Sequence, residues 1–305
     1  MQLTRTEEQE ELATTVRGLL GKRSDSAAVR AAVETDDGYD TALWRALCEQ
    51  VGVAALVIPE EYDGFGASLV ETAVVLEELG ANLAPNPLLA STLAAVDVLL
   101  HGSEGDKRAL LPRLAAGEVV PFTLGQVVLE PTEHVGTMDQ TMRLAVAADP
   151  VEPAADVRAI ASALVSALQV GAMQRALDMT VAYSKERVQF GRPIGSFQAL
   201  KHRMADMLVL LEASRSASWG ATAAAAAYLA QPDDDRRRTL IRLAAVTGSY
   251  CSDALDHIAA ETVQLHGGVA ITWEHDAQLV FKRAHGLSQL NGPAHRHRAA
   301  ALEAR

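Results

Sequence analysis

Apolar residues recur at helical spacing along most of the chain, and glycine and proline interrupt the pattern. Residues 4–21 keep this spacing after a start rich in threonine and glutamate, and residues 39–51 keep it up to Gly52. Positions three and four apart share one face of a helix, so the spacing indicates amphipathic helices. The first part of the chain therefore predicts helices over residues 4–21, 39–51, 68–79, 87–100 and 104–115.

A strand-like pattern is confined to residues 118–150. Strands are predicted over residues 119–124, 126–129 and 142–146. An independent β domain needs several strands of about five residues plus turns, roughly 60 residues or more. No such domain fits into this segment.

Helical spacing returns at length after Pro153. Long helices are predicted over residues 154–186, 196–229, 234–266 and 274–290. Long helices joined by short loops form antiparallel bundles. The predicted fold is mainly α, with an N-terminal helical domain, a short β segment and a C-terminal antiparallel four-helix bundle, over residues 1–118, 119–150 and 151–305.

Composition and charge exclude several classes of function. Acidic side chains outnumber basic ones by 39 to 27, and the net charge of -12 disfavours binding to nucleic acid or an anionic membrane. The two cysteines, Cys48 and Cys251, are far apart in sequence, so neither a disulfide framework nor a thiolate metal cluster is expected. The N-terminus has no apolar signal region, and no run of about 18 apolar residues occurs. We expect a cytoplasmic protein that does not span a membrane.

Two motifs favour ordinary structure over chemistry. Gly64 and Gly66 follow an apolar run and open a helix, but the third glycine of a dinucleotide-binding fingerprint is missing. His295 and His297 are two residues apart, so on a helix they point to different faces and do not form a metal site. We expect no metal site in the chain.

The junction over residues 185–207 is more informative. A long helix ends in an Arg-x-Gln-Phe-Gly sequence at residues 187–191, a Pro/Gly turn follows, and Ser196 can cap the next helix. Arg187 offers a planar fork of donors for a diphosphate, and the following helix presents its N-terminal N–H groups nearby. The alternative, an ordinary helix hairpin with an exposed arginine, is equally compatible with these residues.

A second candidate closes the long helix over residues 234–266. Gln264 precedes Gly267 and Gly268, which permit a left-handed backbone and the close approach of a flat ligand. Gln264 can bind an amide or a purine edge. Taken alone, this motif is better explained as a glycine-terminated helix beside a packed Trp273.

Taken together and in this order, the motifs resemble those of the acyl-CoA dehydrogenase family. The Arg-x-Gln-Phe-Gly turn, a Phe-Gln-Ala helix start at residues 197–199 and the Gln-x-x-Gly-Gly helix end resemble that family's C-terminal domain. Residues 59–66, 77–80 and 111–118 resemble its N-terminal domain and the lead into its middle β domain. The resemblance covers most of the chain.

The resemblance implies an FAD bound across a subunit interface. In that family the flavin ring rests on one subunit's middle domain, while the neighbour contacts the diphosphate and adenosine. By position, the diphosphate contacts are Arg187, Gln189 and Phe190. Those on the adenylate side are Gln198, Gln264, Gly267 and Gly268.

Two departures from the family bear on activity. Most of the middle domain, which holds the flavin ring, is absent. The catalytic glutamate is absent as well, since Asn291 stands at its usual position and Ala161 near its alternative position in the preceding long helix. Glu274 and Asp276 are carboxylates near the second motif, but in the family that loop faces the nucleotide. No catalytic residue is assigned to this chain.

These departures predict one subunit of a heteromeric acyl-CoA dehydrogenase. The expected partner is a full-length homologue that carries the base, in an α2β2 assembly of the kind that acts on steroid side-chain CoA esters and passes electrons to a separate acceptor. The vacated middle domain is expected to leave room for a bulky acyl group. Two alternatives stay open: an inactive scaffold subunit, and a flavin-independent enzyme that uses Glu274, Asp276 or His285 in a closed apolar cleft.

Overall fold

The fold is mainly α, as predicted, in a computed structural model that describes residues 4–131, 133 and 135–303. The N-terminal half consists of short helices: α1 Glu7–Arg23, α2 Ser26–Val33, α3 Thr41–Ala46, α4 Leu69–Asn82, α5 Leu88–His101 and α6 Glu104–Ala115. A short antiparallel hairpin follows, formed by β1 Phe122–Leu129 and β2 Leu144–Val151.

The C-terminal half is an antiparallel bundle of long helices. They are α7 Ala155–Glu186, α8 Gln198–Ala230, α9 Asp234–His266 and α10 Ala277–Gln289, followed by a final helix, α11 Ala294–Glu303. Between α7 and α8 the chain forms a two-residue ladder, β3 Val188–Gln189 with β4 Arg192–Pro193. Each helix runs antiparallel to the next one in sequence, so the end of α7, the start of α8 and the end of α9 lie together.

Most predicted helices agree with the structure to within a few residues, but two details differ. The sequence interpretation missed α2, although Asp25 caps it by accepting a hydrogen bond from the amide of Ala28 at 2.9 Å. The helix predicted over residues 39–51 changes from α to π geometry at Leu47–Val51 before it ends at Gly52, whose φ is +77°. A π turn admits an extra residue without ending the helix, so the apolar pattern does not reveal it.

The two strand segments predicted before residue 130 form a single strand. Gly125, with φ +64°, produces a bulge at which the register between β1 and β2 shifts. One face of β1 is buried against α5 through Phe122, Leu124 and Leu129. A cavity of about 20 Å³ remains between α5, α7 and α10.

The N-terminal helices join the bundle where α4 crosses α7 at backbone contact. A Cβ atom on Gly80 would lie 2.4 Å from the Leu168 carbonyl oxygen, and one on Gly171 would lie 2.0 Å from the Glu77 carbonyl oxygen. Only glycine permits two helix backbones to approach this closely. This crossing fixes the bundle relative to the N-terminal half.

Helix α7, which is buried over most of its length, is long and apolar enough to cross a membrane by length and composition alone. Within its most apolar 18-residue window, 94% of residues are buried inside the protein. Burial of this kind is typical of a core helix in a bundle.

Replacing Gly171 with alanine tests the helix crossing. We expect the Gly171→Ala variant to lose about 1–3 kcal/mol of unfolding free energy, because its methyl group would overlap the backbone of α4. Gly18→Ala is the matched control, since Gly18 lies in α1 with no atom within 4 Å of its Cβ position. Urea denaturation measures both variants, and equal stability of the two would contradict the proposed crossing.

Candidate cofactor-binding site

The residues assigned to cofactor binding lie at one end of the bundle. An ion pair between Arg203 and Glu261 ties the start of α8 to the end of α9. The ring of Tyr183, near the end of α7, stacks on His266, the last residue of α9, with 4.5 Å between centroids. These two contacts bring together motifs that are about 75 residues apart in sequence.

A tight turn shapes the segment between α7 and α8. Phe190 has φ +53° and Gly191 has φ +76°, two consecutive left-handed residues of the kind found in type I′ hairpins. The turn places Phe190 at the tip of the hairpin, where its side chain is 92% exposed. Left-handed geometry is strained for a bulky residue, and strained residues cluster at functional sites.

Most of the side chains beside this turn are exposed to solvent. Arg192 lies over the ring of Phe197 at 4.2 Å, and the Gln198 amide is 2.7 Å from Nε2 of His202. Among the described residues, no ion pair within 4 Å joins Arg187, Arg192 or Lys201 to a carboxylate. In a chain of net charge -12, this group of cations gives the surface a local positive charge.

The end of α9 presents open backbone on the same side of the molecule. Gln264, Gly267 and Gly268 are all exposed, and no atom lies within 4 Å of a Cβ position on either glycine. Gly267 ends the helix with φ +67°, whereas Gly268 does not need a left-handed conformation. The chain itself therefore leaves room for a side chain at residue 268, and a ligand that approaches the backbone would explain the glycine there.

The rings of Tyr183, His266 and His275 form a cluster beside this end of α9. The sequence interpretation did not identify this cluster. His275 lies 4.8 Å from His266 and 6.3 Å from Tyr183 between ring centroids. Burial lowers the pKa of both histidines, so each is neutral at neutral pH. The cluster holds the glycine-containing end of α9 against the end of α7.

Asp276 is part of a structural ion-pair cluster. It accepts hydrogen bonds from Arg30 and Arg175, each at 2.9 Å, and from the hydroxyl of Ser26. Burial alone would raise the pKa of Asp276, but the hydrogen bonds from Ser26, Arg175 and Arg30 outweigh burial and hold that pKa below its usual value. An ionised carboxylate that is paired with two arginines is a poor general base.

The other two side chains considered for a flavin-independent enzyme, Glu274 and His285, are exposed. Glu274 lies in the loop before α10, and His285 lies on the outer face of α10. Neither side chain lies in a closed apolar cleft, so these residues do not favour a flavin-independent enzyme.

The two positions that the resemblance assigns to the family's catalytic glutamate, Asn291 and Ala161, adjoin each other. The Asn291 side chain donates from Nδ2 to the Ser162 hydroxyl at 2.6 Å and to the Arg158 carbonyl at 3.0 Å. Ser162 follows Ala161, the other position, so the loop after α10 contacts the first turns of α7. Both positions lack a carboxylate, and the amide of Asn291 serves as a structural donor.

A large open groove of about 1,090 Å³ lies elsewhere, between α1, α4, α7 and α8. Its wall carries a network in which Arg5 and Arg215 both bind Glu77, at 2.8 Å and 3.2 Å. Arg17 binds Glu78 at 2.7 Å. These pairs satisfy the buried charges of the groove, which contains none of the assigned cofactor contacts.

No metal centre is evident in the part of the chain that the structure describes. It contains no group of three or more histidine, cysteine, aspartate or glutamate side chains arranged to hold a metal ion. His297 packs against Gly248 of α9, whereas His295 is exposed, so the two rings lie apart.

Comparison with known proteins gives matches over both halves of the chain. Residues 6–118 match the family model for the acyl-CoA dehydrogenase N-terminal domain, and residues 160–304 match the one for the C-terminal domain. Acyl-CoA dehydrogenase IpdE2 of Mycobacterium tuberculosis is 45% identical over 319 aligned positions, which cover 94% of each chain.

Solved structures share the fold at lower sequence identity. A chain of a Tcur3481-Tcur3483 steroid ACAD variant superimposes with a TM-score of 0.83 and 24% identity, covering 98% of this chain and 97% of that one. A chain of the ChsE4-ChsE5 complex from Mycobacterium tuberculosis superimposes with a TM-score of 0.81 and 22% identity, covering 99% and 98%.

Acid is expected to loosen the aromatic cluster. Because burial holds the pKa of His266 and His275 below the unfolded value of about 6.5, the folded state resists protonation. Stability from this source is complete above that pH and is lost as the pH falls towards the folded pKa values. We expect thermal midpoints measured between pH 7 and pH 5 to fall less steeply for His275→Gln than for the unmodified protein, with the exposed His295→Gln as control. Identical slopes for all three proteins would rule out the cluster as the cause.

Proposed function

Because this chain belongs to the acyl-CoA dehydrogenase family, we propose that it is one subunit of a heteromeric, FAD-dependent acyl-CoA dehydrogenase. Its role is to donate contacts to the diphosphate and adenosine of an FAD whose flavin ring lies on a partner subunit. The partner is a full-length homologue that carries the catalytic glutamate. The reaction is the α,β-dehydrogenation of an acyl-CoA.

The observation that carries this proposal is the set of unpaired cations on one exposed surface beside open glycine backbone. Arg187 offers two parallel donors to a diphosphate, and Arg192 and Lys201 add positive charge nearby. In the free chain these side chains face solvent. A pure scaffold has no physical use for such a surface, whereas a subunit that reaches into its neighbour's cofactor site requires one.

Exposed apolar side chains beside the cations support a protein partner. Ile271 is 77% exposed and Trp273 is 63% exposed, and Lys282 lies over the Trp273 ring at 4.1 Å. Together with Phe190 and Val188 they form an apolar surface at the same end of the bundle. Exposed patches of this kind mark interaction sites, because water contact with large apolar side chains is unfavourable.

Because this chain lacks a catalytic base, we assign removal of the substrate's α-proton to the partner subunit. A general base must carry a group that accepts a proton within hydrogen-bond reach of the substrate's α-carbon. Asn291 and Ala161 offer none, and the Asn291 amide is engaged with α7. When bound, FAD accepts the hydride from the β-carbon, so this chain contributes by binding and orienting the cofactor.

The similar proteins suggest the assembly and the substrate class. The name of one similar structure describes a steroid ACAD, and that of another describes a two-protein complex. By analogy, we propose an α2β2 heterotetramer that acts on a steroid side-chain CoA ester and transfers electrons to a separate acceptor.

Flavin stoichiometry tests the proposed division of labour. This chain produced alone is expected to be colourless, and co-production with a full-length homologue is expected to give a yellow complex with one FAD per pair of subunits. Absorbance spectra combined with quantitative amino-acid analysis measure this ratio. Two flavins per pair, or a yellow homo-oligomer of this chain, would overturn the proposal, and a stable colourless complex would favour the scaffold alternative.

Replacing Arg187 with alanine tests the donated diphosphate contact. Loss of charge-assisted hydrogen bonds worth about 1.5–3 kcal/mol corresponds to roughly 10- to 150-fold weaker FAD binding by the complex. Arg238→Ala is the control, because Arg238 is exposed at the opposite end of α9 and pairs with the exposed Asp235 one turn away. Titration of the apo complex with FAD measures both, and equal affinities would contradict the role of Arg187.

A second variant separates binding from folding. Gly268→Ala leaves the free chain undisturbed, because its Cβ position is open and its φ is not left-handed. If FAD approaches the backbone there, the same variant weakens FAD binding without lowering the thermal midpoint of the isolated chain.

A further inference from the structure

The connection between β1 and β2 is a loop that is buried near its C-terminal end. Asp139 is 2% exposed and Thr141 is 3% exposed, whereas Val135, Gly136 and Met138 are exposed. Connecting loops normally run over the surface, because their backbone polar groups need water. The burial of Asp139 and Thr141 indicates that this end of the loop docks into a specific place in the fold.

A buried ion pair fastens the loop to α10. Nε of Arg283, a side chain that is 2% exposed, lies 3.3 Å from Oδ2 of Asp139. Arg283 also donates from Nη2 to the Thr141 carbonyl at 3.3 Å, and Asp139 accepts from the Thr141 amide at 3.0 Å. A buried pair is retained only where the charges remain matched, so it defines one position of the loop.

The surface of α10 is shaped to receive the loop. A Cβ atom on Gly286 would lie 2.8 Å from the Cβ atom of Asp139, which is closer than two such atoms approach. Glycine inside a helix costs about 0.5–1 kcal/mol relative to alanine. Gly286 therefore favours loop docking at the expense of helix stability.

The docked segment fills the space between α5, α7 and α10. The remaining cavity, about 20 Å³, has room for one water molecule and is lined by Asn86, Leu89, Glu130, Met142, Leu168 and Arg283. Burial raises the pKa of Glu130 to about 8, so this carboxyl group is mostly neutral at pH 7 and adds no unpaired charge.

This filled space lies beside the two positions at which the family carries its base. Leu168 is less than two turns along α7 from Ser162, which binds Asn291. Gly286 and Arg283 lie on the helix that ends just before Asn291. A substrate that placed its α-carbon near Asn291 would meet the docked segment next to it.

We propose that the described residues from Phe122 to Met142 form a plug, which closes this chain's own acyl site and confines acyl-CoA to the partner subunit. This inference rests on the proposed function and extends it: the chain has lost its base and has also sealed the volume that a substrate would need.

Hydrogen exchange of the flavin-loaded complex with its partner tests the plug. The amides of Thr141 and Met142, which both donate to Asp139, are expected to exchange at least about tenfold more slowly than those of Asp36 and Asp37 in an exposed turn. Addition of octanoyl-CoA is expected to leave exchange at residues 86–90 and 164–168 unchanged. Fast exchange at Thr141 and Met142, or slowing by octanoyl-CoA at either of the other segments, would overturn the plug.

A glycine variant tests the docking directly. Gly286→Ala raises the helix propensity of α10 but collides with Asp139, so exchange at Thr141 and Met142 is expected to accelerate by about tenfold or more. Gly21→Ala in α1, whose Cβ position is open, is the matched control. Unchanged exchange in Gly286→Ala would refute the docking. The flavin content of the same samples reports on the proposed function separately, because the plug requires no flavin to stay in place.

Discussion

The stacking of Tyr183 on His266 is the contact on which the proposed site depends, since it sets where the end of α7 meets the end of α9. The Arg203–Glu261 ion pair adds the start of α8 to the same place. A helix end is a rigid place from which to present a side chain, because the helix itself fixes its direction. Three such ends together create a surface that none of the local motifs could form alone.

The helices were predictable because long runs of small and apolar residues have a strong helical period. The bulge at Gly125 interrupts the alternating pattern of β1, so the sequence pattern predicted two strands instead of one. Helix α2 has only eight residues, which is too short for a clear periodic signal. The candidate site residues could be proposed from the sequence because each belongs to a short local motif at a helix end. Their common location followed from the antiparallel order of the long helices.

The contacts that sequence reasoning could not find are those between distant single residues. Asp139 and Arg283 are 144 positions apart, and neither belongs to a repeating pattern. The same holds for Asp276, which binds Arg30 and Arg175 from two other helices. Sequence reasoning kept Asp276 as a candidate base for the flavin-independent alternative. The burial of Asp276 and its pairing with two arginines change that interpretation, because burial and pairing decide what a charged side chain can do.

The hydrogen bonds of Asn291 limit which side chains its position can hold. Glutamate in its place would bring a longer, charged side chain into contact with the Arg158 carbonyl oxygen, where an amide N–H now donates. An Asn291→Glu substitution would therefore unsettle the first turns of α7. With the proposed plug in place the substrate would still be barred, so a carboxylate at this one position would not by itself create a working site.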